Sequence, residues 1–379
     1  VWKTTNYGTT WKPVFDTQPD HAIGAVAIAP SNPDIVWVGT GEANPRNSVS
    51  WGHGVYKSTD GGKSWKNMGL KDSHHIGRVV IHPTNPDIVY VAALGHAWAA
   101  NKERGVFKTS DGGKSWEDLS ANIPDISKSR WITRVECSPT EESVVYLSID
   151  RHRHDDFKPY VFKSADHGKT WTSLAKALPE HGPVHVIKVD PTDPRRLYVG
   201  TEYGLFFSMD DGKTWVAYPG LPTVPVHDLA FANKNQDLVI GTHGRGIYIL
   251  DLAPLHHINA ETQTLLDVRS AKATRPKATR SLGIKHFYGD NPPRGAVIDV
   301  FFEKKPETEP VLTIADKDGN QVAQLKVSSE PGFHRVVWSM MKPKTPFGGY
   351  NPVAPGRYTA TLRLSPTLRS SKEFMVEVE

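Results

Sequence analysis

Cysteine is almost absent from this chain. The single Cys137 lies in a strand-like stretch and excludes an internal disulfide. Long apolar runs are missing as well: nothing approaches the ~18 consecutive apolar residues of a membrane-crossing helix. Charge of one sign is also scarce. With 45 Lys+Arg against 41 Asp+Glu the net charge is +4, too mild to imply nucleic acid. No phosphate-cradling loop, Gly-x-Gly-x-x-Gly or Ser-His-Asp order is present, so those enzyme classes have no support. Turn chemistry is plentiful: 31 Gly and 29 Pro beside 11 Trp fit a turn-rich β protein better than a helical one. A length of 379 residues allows two or three domains, although an all-β ring can use most of that as one. The chain opens at Val1 inside a strand-like stretch, without a signal peptide. That is expected where a leader and further sequence have been removed, or where the sequence is a piece of a longer one.

One octet recurs: Ser/Thr-x-Asp/Asn-x-Gly-x-Ser/Thr-Trp. It reads TTNYGTTW, STDGGKSW, TSDGGKSW, SADHGKTW and SMDDGKTW, ending at Trp11, Trp65, Trp116, Trp171 and Trp215. The interval is about 50 residues, in the range of a repeat architecture. Each copy follows an alternating stretch (VWKT, VYKS, VFKT, VFKS, LFFS), and alternation with β-branched and aromatic residues reads as a strand. Asn6, Asp60, Asp111, Asp166 and Asp210 can then accept bonds from nearby backbone N–H groups, while the following Gly turns the chain. The Trp re-enters the next strand and can bury its ring between packed sheets. These residues are expected to be structural.

Around the octets runs a longer unit: an inner strand such as IGAVAIAP, a turn, a second strand such as VWVGTG, then the octet hairpin. It returns as IGRVVIHPTNPDIVYVAAL, ITRVECSPTEESVVYLSI, VHVIKVDPTDPRRLYVGT and VHDLAFANKNQDLVIGT. Residues 1–15 carry only the outer half of a unit, and GRGIYILD is a third strand with no octet after it. After Asp251 the register is lost. Residues 255–285 carry Arg269, Lys272, Arg275, Lys277, Arg280 and Lys285, and read as a basic, solvated linker. From 286 to 379 strands return, with DKDGN as a hairpin turn and APGRY as a turn entering a strand, which suggests a β-sandwich.

The octets resemble the Asp-box of bacterial neuraminidase repeats and of sortilin/Vps10-like β-propellers. Longer stretches, including GVYKSTDGGKSWKNMGLKDSHHIGRVVIHPTNPDIVYVAA and LPTVPVHDLAFANKNQDLVIGTHGRGIYILD, are similar to large secreted bacterial proteins described as glycosyl hydrolase or WD40/YVTN/BNR-like repeat proteins. The resemblance implies an all-β chain: an Asp-box β-propeller over 1–254, with about six blades and five to seven allowed, then an immunoglobulin-like sandwich of the FlgD type. It also implies an extracellular, cell-surface or periplasmic location. In those relatives the stretches matching 1–116 and 119–251 are usually separated by several more blades, so this chain looks like a shortened member or a set of ordered pieces.

In such a propeller the loops joining second and third strands lie opposite the octet turns, and here those loops are the least repetitive parts. Ligand contacts are expected from Arg46 and Trp51, from His96, Trp98 and Arg104, from Arg151 and Tyr203, and from His243 and Arg245. Aromatic platforms beside charged groups suit a glycan or a polypeptide. The alternative is that these groups bond to strand ends and line a water-filled channel. Glycoside hydrolysis needs two carboxylates astride the bond. Glu42, Asp155, Asp156 and Glu202 are the candidates, and spacing alone pairs none of them. A sialidase would need an arginine triad, for which Arg46, Arg78, Arg134 and Arg245 could be offered, but the Phe-Arg-Ile-Pro signature is absent. His74-His75 and His152-x-His154 match no zinc spacing, and neighbouring strand residues point to opposite faces. Asp155 and Asp156 could hold Ca²⁺, and no other cofactor is expected. The expectation is a binding or scaffold module for a glycan or protein, with other subunits of an extracellular assembly as possible partners. Glycoside hydrolase or lyase activity, or a purely structural subunit, are the alternatives.

Overall fold

The computed structural model describes residues 1–44, 47–98, 100–124, 131–218, 220–232, 236–256, 264–266, 268–273, 294–343, 350–365 and 367–378. These divide into two compact units, Val1–Leu250 and Asp251–Glu379. Apart from the four-residue helix Ala253–His256 and four single 3₁₀ turns, the regular structure described is strand.

Each octet folds by short-range bonds. In the second, Asp60 Oδ1 accepts the backbone N–H groups of Lys63 and Ser64, both at 2.9 Å, and Oδ2 accepts the Ser64 hydroxyl at 2.5 Å. The Ser58 hydroxyl accepts the Gly62 N–H at 2.8 Å. Asp111, Asp166 and Asp210 repeat the pattern. These bonds favour the ionised form and hold all four carboxyls below the usual carboxylate range, Asp166 at about 2. For Asp210 partial burial opposes that shift without cancelling it. The tryptophan then links blades: Trp65 Nε1 donates to the Val14 carbonyl at 2.6 Å, Trp116 to Met68 at 2.7 Å and Trp215 to Leu174 at 2.9 Å.

The first unit is a β-propeller. Its first blade comprises Ile23–Ala29, Asn32–Thr40, Val55–Ser58 and Lys66–Asn67 in sequential antiparallel order. The second (Ile76–Ile81, Val89–Ala93, Gly105–Thr109, Glu117–Asp118), third (Ile132–Cys137, Val145–Ile149, Tyr160–Ser164, Thr172–Ser173) and fourth (Val184–Val189, Leu197–Thr201, Gly204–Ser208, Val216–Ala217) repeat it. The fifth has three strands, Val226–Ala232, Asp237–Thr242 and Ile247–Asp251. A half-blade, Trp2–Lys3 with Lys12–Pro13, precedes the first. Trp37, Tyr90, Tyr146 and Tyr198 hold one position in the second strand and are fully buried. Asp228 on the fifth inner strand pairs with Arg134 on the third and lies 4.0 Å from Arg78 on the second, so the inner strands share one axis.

A single irregularity recurs in every blade. The pairing of first and second strands slips at Ile23/Ala25, Ile76/Arg78, Ile132/Arg134, Val184/Val186 and Val226/Asp228. Such a bulge leaves one residue unpaired and re-aims its side chain. The skipped residues are Gly24, Gly77, Thr133, His185 and His227.

In the second unit, a three-stranded sheet (Thr264–Leu265, Ala296–Phe302, Gly332–Trp338) and a five-stranded one share a core in which Trp338, Tyr358 and Phe374 meet. The five strands are Ala271–Ala273, Val311–Asp316, Gln321–Lys326, Gly356–Arg363 and Arg369–Val378. The DKDGN turn joins two of them, with Asp316 Oδ1 accepting the Asn320 N–H at 2.9 Å. Two segments of the expected basic linker are strands here: Thr264–Leu265 pairs with Ala296–Phe302, and Ala271–Ala273 runs parallel to Arg369–Val378. Arg275, Lys277, Arg280 and Lys285 lie outside the described residues.

Candidate functional site

All five bulge residues line one cavity of about 650 Å³ at the loop end of the first unit. Its floor is asymmetric. Gly24 and Gly77 contribute no side chain, Thr133 a hydroxyl, and His185 and His227 stacked imidazoles with centroids 4.2 Å apart. The two glycines differ in kind. A Cβ on Gly24 would stand 2.1 Å from the Ile76 carbonyl oxygen of the next blade, whereas one on Gly77 would meet nothing closer than 3.7 Å. Blade packing demands the first glycine, while the second simply leaves room.

The walls come from the second-to-third strand loops. Asp150 and His152 enter from one loop and Glu202 and Tyr203 from the next. Both carboxylates are tethered to histidine. Asp150, 7% exposed, accepts the His152 N–H at 2.9 Å and faces its Nδ1 at 2.5 Å, while Glu202 lies 2.9 Å from His185 Nε2. His243 adds a third ring 5.5 Å from His227. Burial, then the neighbouring imidazoles His185 and His243, depress the His227 pKa despite Glu202 and Asp150 nearby. Tyr203 and Phe157 present half-exposed rings at the wall. Trp131 carries the guanidinium groups of Arg104 and Arg153 at 5.1 and 4.6 Å from its ring centre.

The residues expected at this face divide. Glu202 and Tyr203 line the cavity, and His243 adjoins it. Arg104 is buried and braces its own loop, donating to the carbonyls of Leu94 at 2.8 Å and His96 at 2.6 Å. Arg151 pairs with Asp156 at 3.2 Å, and Asp156 also accepts the Tyr160 hydroxyl at 2.8 Å, so those two oppositely charged groups satisfy each other. Asp155 is exposed in a left-handed turn, and Arg245 is exposed. Glu42 ties down its own loop through the Ser50 N–H at 3.3 Å. Trp51, His74 and His96 form a separate cluster, Trp51 meeting His74 edge-on and His74 stacking on His96, with Trp98 exposed nearby in sequence. Arg46 lies outside the described residues. Arg134 is buried against Asp228, whereas Arg78, 4.0 Å from the same carboxylate, also lines the cavity. No group of three or more His, Cys, Asp or Glu side chains gathers as a metal site among the described residues, Asp155 and Asp156 included. Sequence reasoning missed Asp150, Trp131, Phe157, His185 and His227. The second residue of each inner-strand motif (IG, IG, IT, VH, VH) was the available signal for the two histidines.

Parts of this chain are similar to known proteins. The family described as "Sortilin-Vps10: Sortilin, neurotensin receptor 3" matches residues 1–158, less than half of the chain. A probable oligoxyloglucan-reducing end-specific xyloglucanase of Neosartorya fischeri is 26% identical over 174 residues, covering 44% of this chain and 20% of that protein. An oligoxyloglucan-reducing end-specific xyloglucanase of Emericella nidulans is 23% identical over 200 residues, covering 52% and 22%. This chain therefore spans about a fifth of the length of these curated relatives. Among solved structures, the GH74 enzyme of Niastella koreensis aligns with a TM-score of 0.49 and 18% identity, covering 98% of this chain and 60% of that one. No described helix is long and apolar enough to cross a membrane.

Proposed function

We propose that the loop-end cavity binds a polysaccharide chain and hydrolyses it, with Asp150 and Glu202 as the paired carboxylates. The observation that carries this reading is their convergence, from successive blades, on one cavity whose wall offers the rings of Tyr203 and Phe157. A glycosidase needs two carboxyl groups flanking the glycosidic oxygen, and flat rings suit the apolar faces of sugars. The xyloglucanase relatives support a β-glucan as substrate class. In this reading His152 and His185 hold the two carboxylates in orientation. The octets are Asp-boxes, the second unit is an immunoglobulin-like docking module, and the protein acts outside the cell.

A second reading, retention of a glycan without turnover, is favoured by the burial of Asp150 and its two bonds to His152. One screen separates them. Xyloglucan and other β-glucans are incubated with the protein, Glu202→Gln and Asp150→Asn, with reducing ends and gel retardation measured. Product that disappears in both variants while retardation persists supports hydrolysis. Retardation without product in the unaltered protein leaves the binding module. Neither signal sinks both readings.

A further inference from the structure

Charge along the inner strands of the propeller does not balance. They carry three strong cations, Arg78, Arg134 and Lys188, against two carboxylates, Glu136 and Asp228. Lys188 is taken by Glu136 at 2.7 Å. Asp228 is taken by Arg134, and its Oδ1 also accepts the Leu229 N–H at 3.0 Å. Arg78 is left 4.0 Å from that same carboxylate, beyond hydrogen-bond reach. Acceptors are short in a second way, because the Nε of buried Arg134 has no hydrogen-bond partner among the described residues. Burial, then Arg134, depress the Arg78 pKa, and Asp228 and Glu136 offset only part of that.

Arg78 is also placed to meet a ligand. Its side chain is 40% exposed and lines the cavity. The lining residues from the first two blades are Gly24, Ala43, Asn44, Gly77, Arg78 and Leu94, and none of these is a carboxylate. Asp150 and Glu202 follow second strands of the third and fourth blades. The cavity's other guanidinium, Arg153, lies over the Trp131 ring in the same 3₁₀ turn as His152, on the carboxylate side. Cation and catalytic candidates therefore occupy different halves of one space.

We propose that the half of the cavity formed by the first two blades is a subsite for a uronic acid, whose carboxylate pairs with the Arg78 guanidinium. The inference rests on the glycan reading above and narrows it: the polysaccharide carries carboxylates, and one of them lies beside the bond held between Asp150 and Glu202. A guanidinium presents a planar fork that matches a carboxylate bidentately, and such a charged pair is stronger than a neutral hydrogen bond. The bare floor at Gly77 leaves room for the ring that bears the carboxylate. A neutral glucan would leave the excess charge uncompensated.

The test is calorimetry on the full chain at ~0.15 M salt, where loose surface attraction is screened. The probes are β-1,4-glucuronan and polygalacturonate oligosaccharides, each beside its carboxyl-reduced form, together with xyloglucan and dextran sulfate. Expected is binding about tenfold or more tighter for an acidic oligosaccharide than for its reduced form. Arg78→Gln should bring the acidic form down to the level of its reduced counterpart. Arg78→Lys should keep part of the preference, with circular dichroism unchanged in both variants. Equal binding of acidic and reduced forms overturns the inference and leaves the glycan reading in place. So does a preference that persists in Arg78→Gln. Dextran sulfate bound as tightly, with the same dependence on Arg78, also overturns it, because charge and not a carboxylate would then be recognised. Failure of every glycan to bind, xyloglucan included, sinks the glycan reading and this inference with it.

Discussion

The two ends of each blade follow opposite rules. At the octet end, every copy has an Asn or Asp whose Oδ1 accepts the backbone N–H four residues on, from Asn6 in the half-blade to Asp210 in the fourth blade. At the loop end, one bulge position holds Gly, Gly, Thr, His and His. The octet end spends its polar groups on its own backbone, whereas the loop end aims them into a common space. A repeat can therefore fix where a side chain goes without fixing what it does. Chemistry is free to vary where the backbone is already held from the other end.

Glycine exchange tests this contrast with the largest effects. Gly113→Ala at the octet end forces a side chain into φ +95° and to 2.6 Å from the Trp37 ring. It should cost about 1–3 kcal/mol by urea denaturation. Gly77→Ala at the loop end should stay within about 0.5 kcal/mol. Gly77→Phe should fill the cavity and abolish glycan retardation in a protein that still folds. If Gly113→Ala is neutral, the octet end is not the rigid one.

Carboxylate exchange gives a smaller effect. Asp210→Ala loses bonds to Thr214 N and Oγ1 and to Ser208, and should cost on the order of 1 kcal/mol. Asp210→Asn should cost less, because Asn6 in the first octet still accepts the Thr10 N–H on Oδ1 and, with its amide Nδ2 donating, reaches the Thr10 hydroxyl. Equal losses in the two variants would show that charge, rather than geometry, holds the turn.

The smallest effects are in pH dependence, and His227 and the octet carboxyls should respond in different windows. His227 is depressed below 6.5 in the fold, so below that pH the unfolded chain takes up the proton first. Stability then falls as pH drops from about 6.5 to the folded value. The octet carboxyls are depressed from 3.8, and their contribution is lost as pH drops from about 4 through the folded values, about 2 for Asp166. His227→Gln should flatten only the upper window of the urea midpoint against pH, and Asp166→Asn only the lower. A change in the lower window from His227→Gln would mean the ends are coupled.

The fold was largely legible in the sequence, because its signals are local. Alternation in VYKS or LFFS and the Asp-x-Gly turn depend on bonds spanning at most four residues. The half-blade and the three-stranded last blade could likewise be read from the missing partner segments. The site was much less legible. Arg104 and Arg151 sit in variable loops and read as ligand contacts, but packing gave the first the carbonyls of its loop and the second Asp156. His185 and His227 sit in inner strands, where no ligand contact was expected, and the bulge turns them inward. The stretch around Ala271 read as linker because a three-residue strand is too short to show alternation.

By itself the sequence determined the repeat, the strands and the turns, since each rests on neighbours a few residues away. Only the tertiary structure decided which side chains meet. Asp228 shares two arginines from other blades, and Asp150 and Glu202 converge from separate loops, because blade stacking around one axis joins residues far apart in the chain.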